Sequence, residues 1–135
     1  LTALGTTGIA GLSTSAISGI SSAALAGLTS TLAGALSSSA IAKLNSSQLN
    51  ALSTSYFANL TSSNIAVLST SAIAGLTSTN VSQLSSSQFG GLTAAELSAM
   101  TTSALAALNS SGVVTLTSTQ TARLSDSQYS ALMVR

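Results

Sequence analysis

Large apolar side chains recur every eight residues along the whole chain, without a slip. The first of them, the anchor, falls at Leu4, Leu12, Ile20, Leu28, Leu36, Leu44, Leu52, Leu60, Leu68, Leu76, Leu84, Leu92, Met100, Leu108, Leu116, Leu124 and Leu132. With the anchor as position one, a second apolar residue sits at position six, as in Ile17, Leu25, Ile41, Leu49, Phe57, Ile65, Val81 and Phe89; Ala33 and Thr121 are the exceptions. Position two is Ser, Thr or Asn from Ser13 to Ser125, and positions three and four are nearly always Ser, Thr or Ala. Position five varies and is often Gln, Asn or Glu. Position seven is small except at Asn50 and Val114, and position eight is free. A register kept over 135 residues predicts one structural unit per octad, each stacked on its neighbours: a solenoid.

The octad decides against one continuous helix. Eight residues at roughly 100° each advance about 800°, so an octad stripe drifts by about 80° per repeat and cannot form one seam. The chain must therefore change direction in every repeat. The preferred reading is all-α: one very short helix per octad, capped by the residue after the anchor, since Ser, Thr and Asn are favoured N-caps. The block of expected caps runs through Ser37, Asn45, Ser53, Thr61, Ser69, Thr77, Ser85, Thr93, Thr117 and Ser125. Gln or Glu three residues later completes a capping box at Asn45/Gln48, Ser85/Gln88, Thr93/Glu96, Thr117/Gln120 and Ser125/Gln128. Position six and the next anchor then share one helix face, and Gly at position eight fits a helix end. The alternative is a β-solenoid with one strand and corner per octad. It suits the Thr, Ile and Val content, but an unbroken strand would put anchor and position six on opposite faces.

Orientation follows from the same pattern. The expected core anchors are Leu28, Leu36, Leu44, Leu52, Leu60, Leu68, Leu76, Leu84, Leu92, Leu108, Leu116 and Leu124. Three of the five charged residues, Lys43, Glu96 and Arg123, occupy positions five and eight, which predicts that both positions face solvent. The small position seven predicts a close approach of backbone to the next coil or to another chain.

Composition sharpens this picture. Charged residues make up only 4%, against about 25% in an average soluble domain, and none occurs in residues 1–42. Solubility then rests on hydroxyls, and so little charge repulsion favours self-association. Two Phe, two Tyr and no Trp give a thin aliphatic core. No stretch reaches the roughly 20 apolar residues of a membrane span, because Ser and Thr interrupt every octad. The whole of 1–135 reads as one octad-repeat solenoid, and as a fragment or processed part of a longer repetitive chain.

The chemistry of sites is sparse. The chain has no His and no Cys, so triad-type nucleophilic catalysis and thiolate or imidazole metal sites lack their groups. The two carboxylates, Glu96 and Asp126, are far apart in sequence and read as cap or surface residues. Lys43, Arg123 and Arg135 are too scattered for a nucleic-acid footprint. The expectation is no enzyme, no cofactor and no metal. Asn45, Asn59, Asn80 and Asn109 open Asn-x-Ser/Thr sequons, which so many hydroxyls also produce by chance; whether any carries a glycan stays open.

Leu44-Asn-Ser-Ser-Gln-Leu-Asn-Ala-Leu52 and Leu92-Thr-Ala-Ala-Glu-Leu-Ser-Ala-Met100 resemble the Leu-Ser/Thr-x-x-Gln-Ile/Val-x-Ala-Leu repeats of very large secreted and surface proteins of bacteria. The resemblance implies an extracellular structural or adhesive role, with no catalytic residues. Three functions compete: a self-associating subunit of an extracellular filament, matrix or surface layer; a monomeric stalk within a surface adhesin; and a hydroxyl array that binds ice. The last expects Thr at one fixed place, where this chain mixes Ser and Thr.

Overall fold

The computed structural model describes the backbone over residues 1–110 and 116–133, and side chains over 1–108 and 116–133. Val113 and Val114, the Asn109 side chain and Arg135 lie outside the described residues. A 3-10 turn at Thr2–Leu4 leads into α1 (Gly5–Ala10), α2 (Thr14–Ser18), α3 (Ser22–Ala26), α4 (Ser30–Gly34) and α5 (Ser38–Ile41). The series continues with α6 (Ser46–Ala51), α7 (Thr54–Asn59), α8 (Ser62–Ala66), α9 (Thr70–Ala74) and α10 (Ser78–Val81). It ends with α11 (Ser86–Phe89), α12 (Ala94–Ala99), α13 (Thr102–Ser110), α14 (Ser118–Thr121) and α15 (Asp126–Met133). The fold is an all-α solenoid of short helices, and no strand occurs among the described residues.

From α2 onwards the helices start in the same way, whereas α1 follows Leu4 with no side-chain cap. The position-two residue holds extended backbone, with φ from −64° (Ser53) to −87° (Asn45) and ψ from 150° (Ser69) to 172° (Asn45). Its side-chain oxygen accepts the N–H of the residue three ahead, as Ser37 does from Ala40 and Ser69 from Ala72. Ser53, Thr61, Thr77, Ser85, Thr93, Thr117 and Ser125 do the same. Apart from α13 and α15, which run through their anchors Leu108 and Leu132, each helix ends as the anchor N–H donates to the position-six carbonyl, for example Leu44 to Ile41 at 3.1 Å and Leu76 to Ile73 at 3.1 Å. The tight closing turn and the extended cap together swing the chain into a new direction, which the drift of an octad stripe requires.

The octads wind into a superhelix in which each helix packs against the helix three octads away: α3 on α6, α4 on α7, α6 on α9, α9 on α12, and α10 on α13. Side-chain hydrogen bonds link octads three apart, such as Gln48 to Ile20, and also four apart, such as Gln48 to Ile17 across 31 residues. A turn therefore holds between three and four octads, and each octad lies over the seam between two octads of the turn before. Position six and the anchors form a single axial core from Ile9 to Leu108, rejoined by Leu132. Phe57, Ile65, Leu97 and Leu105 are fully enclosed.

The pattern of burial and packing departs from expectation in three respects, and position eight faces solvent as expected. Leu116 and Leu124 are half-buried rather than buried; they belong to the last turn and meet the core from one side. Position five is exposed at Ala16 and Ala24, but Gln48, Asn80, Gln88, Glu96 and Gln120 are all buried; the Gln and Glu side chains fold back over their own helix starts, and Asn80 turns to Asn50. Position eight is exposed at Lys43, Asn59, Gln83 and Arg123. The close approach expected at position seven occurs instead at position eight. A Cβ on Gly75 would collide with the Ser46 side chain, and one on Gly91 would lie 2.5 Å from the Ser62 carbonyl oxygen. The glycines that follow α1 and α2 are right-handed, with φ −84° at Gly11 and −88° at Gly19, so a left-handed turn is not what they supply; Gly5, after the first turn, has φ +64°.

Candidate functional site

Specialised polar chemistry gathers at position five. Gln48 is 3% exposed, yet its amide is saturated. Oε1 accepts the Asn45 N–H at 3.0 Å, and Nε2 donates to the carbonyls of Ile17 (2.9 Å), four octads earlier, and Ile20 (2.7 Å), three octads earlier. Gln88 repeats this with Ser85 N–H and the Phe57 and Leu60 carbonyls. Gln120 repeats it with Thr117 and the Phe89 and Leu92 carbonyls, and Gln128 with Ser125 and the Ser98 and Met100 carbonyls. The Ile17, Phe57 and Phe89 carbonyls already accept the anchor N–H and take the amide as a second donor, whereas the anchor carbonyls stand just past the helix end, where acceptors lack intrahelical partners. One amide thus starts its own helix and closes the helix end in the turn before.

Sequence reading finds the capping box but misses the staple. The missed signal is the choice of Gln. A box at a helix start works equally with Glu, which the helix dipole favours, yet Gln fills four stations and Glu one. Only the amide brings N–H groups to the earlier turn. At Glu96 the carboxylate Oε2 takes both Thr93 N–H (2.6 Å) and Thr93 Oγ1 (2.8 Å), and that side chain has no N–H to give.

Asn50, the exception at position seven, is explained by a shorter version of the same device. Its Nδ2 donates to the Gly75 carbonyl at 2.7 Å, and its Oδ1 accepts from Thr77 N–H at 3.3 Å and Asn80 Nδ2 at 2.9 Å. Asn80 occupies position five but lacks the extra methylene of Gln, and Asn50 reaches out to meet it.

Tyr56 also occupies position five. Its ring is 2% exposed and meets Phe57 edge-on at a centroid distance of 6.0 Å. Its hydroxyl is buried without a hydrogen-bond partner, and burial pushes its pKa well above the usual value.

The remaining candidates are dispersed. Lys43, Arg123 and Asp126 are exposed. Among the described residues no three His, Cys, Asp or Glu side chains come together as a metal site would need. Among them, too, no helix is long and apolar enough to cross a membrane. Position-four hydroxyls, including Ser39, Ser47, Ser55, Ser63, Ser71 and Thr79, are exposed on the outside of the coil. The stagger of successive turns spreads them in a spiral rather than in a flat ladder. Two sequons divide clearly: Asn80 is buried in the Asn50 network, and Asn59 is exposed. No family model, no curated protein and no solved structure matches the chain.

Proposed function

We propose that the chain is a non-enzymatic structural protein, a rod-like subunit of an extracellular filament, matrix or surface layer that self-associates. The observation that carries this reading is the run of saturated amide staples from Gln48 to Gln128. The specialised polar side chains are spent on joining turn to turn, which is what a load-carrying rod requires. A surface that is mostly hydroxyl and nearly uncharged opposes close packing of rods only weakly. The resemblance to repeats of bacterial surface proteins is consistent with the same role.

Sedimentation velocity and electron microscopy over a wide concentration range test the proposal. Filaments or sheets that grow with concentration are expected. A monodisperse monomer at the highest concentration would overturn self-association and leave the stalk of a larger adhesin as the better reading, since a rod whose turns satisfy one another needs no lateral partner. The staggered hydroxyls give ice recognition the weakest support of the three functions. The absence of thermal hysteresis is expected.

A further inference from the structure

We propose that Asn59 is the acceptor of an N-linked glycan; this rests on the extracellular reading above. Four sequons occur, and the structure separates those it describes. Asn80 is 5% exposed, with its Nδ2 turned inward to Asn50 Oδ1 at 2.9 Å, so a sugar there would have to enter the packed interior between turns. Asn45 is exposed as well, but its Oδ1 holds the start of α6 by accepting the Gln48 N–H, and its sequon ends in Ser47 rather than Thr. Asn59 stands at the exposed position eight, at the end of α7. Its sequon, Asn59-Leu60-Thr61, is the one among the four that ends in Thr.

The local bonding tolerates the modification. Asn59 Nδ2 donates to the Ser55 carbonyl at 2.8 Å within its own helix. An amide nitrogen carries two hydrogens, and glycosylation removes one, so this bond can persist. The donor would be a polyprenyl-diphosphate-linked oligosaccharide. A transferase joins Asn59 Nδ2 to the anomeric carbon, the carbon–oxygen bond to the diphosphate breaks, and the polyprenyl diphosphate leaves with the electron pair. The amide proton passes to a base of the transferase. Transfer precedes folding of this segment, because in the fold Leu60 is buried and Thr61 Oγ1 is bonded to Asn64. A bulky hydrated sugar suits a surface whose polar groups are mostly hydroxyls.

The test is peptide mapping of the native protein from separated extracellular and cellular fractions, before and after enzymatic release of N-glycans. The expected result is an Asn59 peptide that carries sugar and becomes Asp at that position on release, with the Asn80 peptide unmodified. Asn59→Gln expressed in the same source should lose the mass shift while keeping the helical circular dichroism of the parent. Extracellular protein with only bare Asn59 would overturn this inference and leave the extracellular reading intact. Protein confined to the cell with bare Asn59 would overturn both. Sugar on Asn80 would contradict the burial on which the choice rests.

Discussion

Leu68 shows what an anchor does. It is buried in the axial core, and its N–H closes the preceding helix on the Ile65 carbonyl at 3.1 Å. Leu68→Ala should lower unfolding free energy by about 2–5 kcal/mol, through lost burial and the cavity left behind. Urea unfolding measures this, and an unchanged stability for Leu68→Ser would show that the anchors do not line a core. Tyr56 makes the opposite case. Tyr56→Phe removes a buried hydroxyl that has no partner, so stability should hold or rise by up to about 1 kcal/mol. The pH dependence has a definite sign. Burial raises the folded-state pKa of Tyr56 above the unfolded value, so the stability carried by its neutral form is complete below the unfolded pKa. It is lost as pH rises from there through the folded value. Alkaline unfolding titrations of parent and Tyr56→Phe should therefore diverge only above about pH 10, with the variant holding out longer; identical alkaline limbs would contradict the burial.

At the scale of the element, each octad is too short to be a stable helix alone and gains its stability from its cap and from its staple. Gln88→Ala leaves the Phe57 and Leu60 carbonyls without their side-chain donor and the Ser85 N–H without its acceptor. It should cost about 2–3 kcal/mol. Gln88→Glu keeps the box and loses the staple, so it separates the two roles: a cost near that of Ala assigns the energy to the inter-turn bonds. The converse, Glu96→Gln, should stabilise by about 1 kcal/mol in thermal unfolding, by adding N–H donors where the carboxylate has none. Glycines test the packing of elements. Gly34 has open space where a Cβ would go and Gly91 faces the Ser62 backbone. Gly34→Ala should then stabilise by about 0.5–1 kcal/mol, and Gly91→Ala should destabilise because the Ser62 backbone cannot yield cheaply. These contrasts mark how far the sequence was legible. Caps and anchors could be read because cap chemistry and burial act within one octad. The buried position five could not, since Glu96 there looked like a surface charge and its burial depends on a turn some thirty residues away. The roles of Asn50 and Gly91 were hidden for the same reason: both are set by contacts between turns, and the octad repeat does not state how many octads make a turn.

At the scale of the molecule, the octads repeat the logic of an α-helix one level up. Each contacts the third and fourth units along the chain, so the superhelix is staggered and its interior continuous. The stagger follows from a turn that holds a non-integral number of octads, and it removes the flat faces that a four-sided stack would present. Polarity is also built in: the Gln48, Gln88, Gln120 and Gln128 staples each reach from a later octad to an earlier one, while Asn50 reaches forward to Gly75. The central claim is this joining of turn to turn. It is tested most directly by nuclear magnetic resonance of the side-chain amides of Gln48, Gln88 and Gln120. The account predicts amide protons slow to exchange with solvent, and cross-relaxation from the Gln88 amide to protons of Phe57 and Leu60. Amides that exchange as fast as those of exposed Gln83, with no contact to residues 28–31 positions earlier, would show that the turns are not joined in this way.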